Sequence, residues 1–148
     1  MIYEVVIGVE VHAQVLELSR ELQAERGMSM ILITRDLGVV AGMAHRIAVM
    51  YAGRIVETAS ASALFARPSH PYTQGLLASV PRMHADRAAQ LTPIPGLPPD
   101  LSQLPSGCPF RPRCARVVPR CEQVYPELLQ IAPQHRARCL RLEEEPAP

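Results

Sequence analysis

Four cysteines carry the clearest chemical signal in this 148-residue sequence. Cys108, Cys114, Cys121 and Cys139 follow the spacing C-x5-C-x6-C-x17-C. Four thiols in a short, proline-rich stretch can form disulfides, bind zinc or hold an iron–sulfur cluster. The N-terminus shows no basic region and no small-residue cleavage site, so a secreted, disulfide-bonded product is disfavoured. Zinc binds four thiolates at about 2.3 Å in a tetrahedron, a geometry usually built from C-x2-C knuckles. This sequence has none. A cubane cluster holds its cysteines further apart and suits wider spacings. Arg111, Arg113, Arg120 and Arg138 lie within three positions of the cysteines. Their charge favours thiolates and offsets the negative charge of a cluster. Pro109, Pro112 and Pro119 stiffen the loops. On residues alone three readings stay open: an iron–sulfur cluster, a zinc site, or unligated buried cysteines.

Other chemistry is limited by composition. All 15 basic residues are Arg, and there is no Lys. A Lys nucleophile, a Schiff base and a self-sufficient P-loop ATPase are therefore excluded within this chain. The net charge of +1 removes any bulk electrostatic case for nucleic acid or acidic lipid. Arg111–Arg113 and the arginines up to Arg120 form a basic stretch, but only Phe110 supplies a nearby aromatic for base stacking. His135, four residues before Cys139, is a candidate substitute ligand, although four cysteines already suffice. His70 is better placed to make a polar contact at a helix start than to bind metal. Tyr51 and Tyr72 read as packing residues, and residues 143–145 as a solvated acidic tail.

The elements that must position these groups divide the chain in two. All 15 prolines lie at or after Pro68, so regular structure is expected before that point and extended segments after it. Val11, Val15, Leu18 and Leu22 form one apolar stripe, which predicts a helix over 11–26 closed by Gly27. Residues 28–34 (MSMILIT) read as a strand covered on both faces, as in a parallel sheet. Asp36 can cap a short helix over 37–44. Residues 47–51 and 54–57 read as strands around an Ala52-Gly53 turn. Ser60 can cap a short helix ending before Pro68, and Pro71 suits the first turn of a final helix over 72–80. This helix–strand order is an α/β signature. Residues 91–105, with five prolines, are expected to be extended. No apolar run reaches the roughly 20 residues that a membrane-spanning helix needs.

Several pieces together resemble a known family. They are HAQVLELSRELQ (12–23), ILITRDLGVVAGM (31–43), RIAVMYAGRIVE (46–57), HPYTQGLLASVPR (70–82) and PIPGLPPDLSQLPSGCPFRPRC (93–114). In order and spacing they resemble the C-terminal part of the ATP-binding subunit of oligopeptide/dipeptide ABC importers, over most of the chain. The resemblance implies an α/β fold: the C-terminal portion of a P-loop ABC ATPase domain followed by a proline-rich, Cys-rich irregular extension. It implies a division into an unmatched segment 1–10, a partial ATPase domain 11–80 and an extension 81–148. It also implies a 4Fe-4S cluster on Cys108, Cys114, Cys121 and Cys139, with zinc as the alternative.

The P-loop, Gln loop, signature loop and acidic strand end of an ABC ATPase are not in this sequence. Where the family has a Leu-Asp pair, Ile7 and Gly8 stand here, and neither Glu4 nor Glu10 occupies the catalytic position. At the switch-loop position, where the family has a His that contacts the γ-phosphate, this chain has Arg35 followed by Asp36. Arg binds phosphate bidentately but cannot titrate near pH 7 as His does. The plainer reading is a tolerated change in a chain that hydrolyses nothing. The expectation is a truncated peptide-importer subunit, not ATPase-competent alone. In the intact family, ATP and magnesium, permease subunits and a second ATPase subunit are implied, at the inner face of the membrane and with no nucleic acid. A stand-alone iron–sulfur or zinc module is the alternative, and an Arg-rich binding module a third.

Overall fold

The computed structural model describes residues 2–80 and 93–144, with side chains over 13–80 and 93–142. The proposed boundary at 81, the first residues of the proline-rich stretch and the side chains of Glu4, Ile7, Glu10 and Val11 lie outside the described residues, as do those of the acidic tail. The chain forms two compact units, Met1–Met43 and Ala44–Pro148. Among the described residues no helix is long and apolar enough to cross a membrane.

The first unit contains α1 (Ile2–Arg26) and α2 (Leu37–Met43). Helix α1 begins well before the expected start at residue 11 and ends on Gly27, whose φ of 61° closes the helix in the left-handed region. Asp36 starts α2: its carboxylate accepts from the amides of Gly38 at 2.8 Å and Val39 at 3.2 Å. The strand expected at 28–34 does not form. Ile31 and Ile33 are 91% and 94% exposed, and among the described residues the segment has no strand partner. The cause is the absence of a neighbour: an apolar run becomes a strand only when another strand satisfies its amides and carbonyls. Val15, Leu18 and Leu22 of the predicted stripe are exposed as well.

The second unit is built on a four-stranded antiparallel sheet in the order β1-β2-β4-β3, which begins with the hairpin expected around Ala52-Gly53. Strands β1 (Arg46–Tyr51) and β2 (Arg54–Ser60) meet in a two-residue turn. Ala52 (φ 49°) and Gly53 (φ 75°) both take positive φ, the turn twist that antiparallel neighbours need. The register shifts between Val49↔Glu57 and Met50↔Ile55, leaving Val56 as the extra residue of a bulge. The bulge breaks the alternation of β2, so Val56 and Glu57 are both buried. Ser60 caps α3 (Ala61–Ala66) through its side chain, and Pro71 opens α4 (Pro71–Ala78), both as expected.

The tail is more ordered than its composition suggests. It supplies two short 3-10 turns, Arg111–Arg113 and Pro119–Glu122, then β3 (Leu129–Ala132), β4 (His135–Ala137) and a last turn α5 (Arg141–Glu144). Strand β4 pairs with β2, so segments some 80 residues apart share one sheet. Tyr51, Val56 and Phe110 form the core, packed by Val49, Tyr72, Ile94, Cys108 and Cys114. The rings of Tyr51, Tyr72 and Phe110 lie 4.6 to 5.5 Å apart in tilted and edge-on contacts, the geometry aromatic quadrupoles favour. A Cβ on Gly75 would stand 2.7 Å from Ile94, so α4 takes the tail in close approach at that point.

Candidate functional site

Phe110, only 3% exposed, is the residue through which the core fixes the cysteine loops. From it the chain turns twice. The amide of Arg111 donates to the Cys108 carbonyl at 3.1 Å and that of Cys114 to the Arg111 carbonyl at 3.2 Å. The second loop lies directly against the first, the Cys108 amide donating to the Cys121 carbonyl at 2.8 Å. Gly107 makes this approach possible: with φ 66°, a Cβ there would be 2.3 Å from the Cys121 carbonyl oxygen. Cys139 follows β4, and the Arg138 amide beside it donates to the Val56 carbonyl at 2.8 Å.

Cys108, Cys114, Cys121 and Cys139 are all free thiols, and Cys121 is buried. They fall within one another's electrostatic reach: the Cys108 thiol is influenced by the other three, Cys114 by Cys121 and Cys139, and Cys139 by Cys121. Burial pushes the thiols of Cys108, Cys114 and Cys139 up from their ordinary value, and neighbouring cysteines add to the shift. Three of the sulfurs also face a backbone N–H two residues later, from Phe110, Arg116 and Arg141. The Arg116 amide reaches Cys114 Sγ at 3.4 Å. Such donors favour the thiolate, as does the charge of Arg116 beside Cys114 and Cys139. Arg111 Nη1 is buried without a hydrogen-bond acceptor among the described residues and stands 3.9 Å from Glu122 Oε1. Thiols that repel one another as anions and N–H donors aimed at sulfur fit an anionic, thiolate-bound group in chemical type. Among the described residues, however, no three His, Cys, Asp or Glu side chains are grouped to hold a metal ion.

The other candidates have structural partners. Asp36 caps α2, and Arg35 is exposed beside it. His70 is 2% exposed and caps α4, its Nδ1 accepting from the Tyr72 amide at 3.0 Å. Burial pushes its pKa down to about 4, against the opposing pull of Glu57 and the Arg138 backbone. His135 sits on Glu57, its Nε2 2.7 Å from Oε1. Sequence reasoning passed over Glu57, Phe110 and Gly107. Glu57 gave no distinguishing signal, because its strand also carries Arg54, Thr58 and Ser60. Phe110 and Gly107 gave none beyond their places beside Cys108.

Comparison with known proteins agrees with the sequence pieces. Residues 56–121 match the family described as oligopeptide/dipeptide transporter, C-terminal region. A Brucella ovis protein named for peptide import and ATP binding is 46% identical over 143 residues, covering 93% of this chain and 42% of the relative. The oligopeptide transport ATP-binding protein OppD of Mycobacterium tuberculosis is 48% identical over 137 residues, covering 93% of this chain and 22% of the relative. The dipeptide transport ATP-binding protein DppD of Bacillus subtilis is 54% identical over 108 residues, covering 73% and 32%. The chain thus spans 42% or less of the length of these relatives. Over 93% of its length the chain is similar to peptide import and oligopeptide transport ATP-binding proteins, and residues 56–121 match the C-terminal region of the oligopeptide/dipeptide transporter family.

Proposed function

We propose that this chain forms the C-terminal portion of the ATP-binding subunit of an ABC importer for oligopeptides or dipeptides. Its identity with proteins named for peptide import and transport, over 93% of its length, carries this reading. Residues 11–80 then belong to the ATPase domain and 81–148 to the extension, with β2 and β4 joining the two in one sheet. The partners are the permease subunits and a second ATPase subunit, at the cytoplasmic face of the membrane. With no Lys and no glycine-rich phosphate loop, the chain alone does not turn over ATP. A chimera tests the importer reading: residues 44–148 replace the matching part of Bacillus subtilis DppD. Retained ATP-dependent dipeptide uptake is expected. Lost uptake in a chimera that still accumulates and binds ATP would overturn it.

The extension's cysteines are the ligand set of the proposal. Cys108, Cys114, Cys121 and Cys139 hold a 4Fe-4S cluster, with zinc the alternative. Mutual coupling of the thiols and the N–H donors aimed at them support this. When bound, the cluster supplies a cross-link between loops too short to build a core of their own. Anaerobic reconstitution should load about four irons per chain, and any single Cys→Ser change should lower that number. Stoichiometric zinc without iron uptake would reject the cluster and keep the site.

A further inference from the structure

Glu57 is completely buried, at 0% exposure, and holds two distant parts of the chain. Its Oε1 accepts from the Ser69 amide at 2.7 Å and faces His135 Nε2 at 2.7 Å; its Oε2 accepts from the His70 amide at 2.9 Å. Ser69 and His70 lead into α4, His70 as its cap, whereas His135 begins β4. The ladder that otherwise joins β4 to β2 is short: Glu57↔Ala137 and Thr58↔Arg136, extended by the Arg138 amide on the Val56 carbonyl. Two strand pairs hold a hairpin weakly. A buried carboxylate satisfied by two backbone amides and an imidazole holds it far more firmly, because losing any partner leaves desolvated polar atoms unpaired. Cys139 lies two residues beyond β4 and moves with it.

We infer that Glu57 is a positioning residue for the cysteine site: through His135 it latches the β3–β4 hairpin, and with it Cys139, onto β2 and the start of α4. This rests on the reading of Cys139 as a ligand, and it concerns a residue outside the ligand set. The latch explains why His135, four residues before Cys139 in sequence, is buried on Glu57 and outside the ligand set. It also explains the bulge at Val56, which turns Glu57 inward where a regular strand would have turned it to solvent.

The test is residue-by-residue labelling of the metal-free full-length chain with N-ethylmaleimide, read by mass spectrometry. Hydrogen exchange at β1 and at the Arg138 amide accompanies it. Glu57→Gln turns an amide N–H₂ toward groups that are themselves donors, and His135→Ala removes the ring. Both should speed labelling of Cys139 about tenfold or more and deprotect the Arg138 amide, while Cys121 and β1 stay protected. His135→Gln can still donate to Oε1 and should restore the wild-type rate to within about threefold. Unchanged Cys139 labelling in Glu57→Gln overturns the latch, and so does an equal rise at all four cysteines with loss of protection in β1. Failure of His135→Gln to improve on His135→Ala overturns it as well. Iron uptake is measured separately on the wild-type chain. Local release of Cys139 in the variants, alongside a wild type that binds neither iron nor zinc, leaves the latch standing and removes the ligand reading.

Discussion

At the scale of single residues, His70 shows how burial sets a protonation state. Its Nδ1 can accept from the Tyr72 amide only while unprotonated, and its folded pKa is about 4 against an ordinary 6.5. The folded chain therefore binds fewer protons than the unfolded chain between those values. The contribution of His70 to stability is present in full above about pH 6.5 and is lost as pH falls toward 4. A shift of this size corresponds to about 3 kcal/mol. Urea unfolding of the wild type between pH 7 and 4 should show this slope. His70→Asn keeps a side-chain acceptor at the cap, so it should lose about 1 kcal/mol at pH 7 and flatten the slope by one proton. A variant as steep as the wild type would show that another group carries the acid sensitivity.

At the scale of elements, local capping and long-range pairing gave opposite outcomes. Ser60, His70 and Asp36 cap their helices through atoms a few residues away, so those starts were legible from residue type. The segment 28–34 has strand-forming residues, no charge and no proline, yet it stays unpaired with Ile31 and Ile33 in solvent. Such a run is a template for pairing with another chain. The isolated protein should therefore form oligomers or aggregates at micromolar concentration. The double change Ile31→Glu with Ile33→Glu should shift it toward monomer in sedimentation velocity without moving the melting transition of the second unit. A wild type that sediments as a monomer would count against this account of the segment.

At the scale of the whole molecule, the two units differ in kind. Among the described residues, Met1–Met43 contains two helices and an unpaired apolar segment, and its hydrophobic side chains from residue 13 on remain largely exposed. Ala44–Pro148 has a sheet, an aromatic core and a buried polar centre. Its core draws on distant parts of that stretch: Tyr51 and Val56 come from the first hairpin, Phe110 from the cysteine loops. The cysteine loops thus belong to the second unit and take their position from residues that carry no metal chemistry. The net charge of +1 gives the molecule no long-range field of either sign.

The sequence by itself determined the local features. Cap residues, the Ala52-Gly53 turn, Pro71 at a helix start and the cysteine spacing each act over a few residues, and all could be read without a fold. The same holds for the family resemblance, because ordered pieces of sequence need no coordinates. Tertiary structure alone decided the rest. The pairing of β4 with β2 spans some 80 residues, and no local propensity encodes it. Glu57 could not be singled out beforehand, because its burial comes from a bulge and a partner 78 residues away. Phe110 is in the core because Tyr51 and Tyr72 converge on it, and Gly107 is required because another loop crosses at van der Waals contact. The strand expected at 28–34 failed for the converse reason: its residues suit a sheet, but no neighbouring strand meets them.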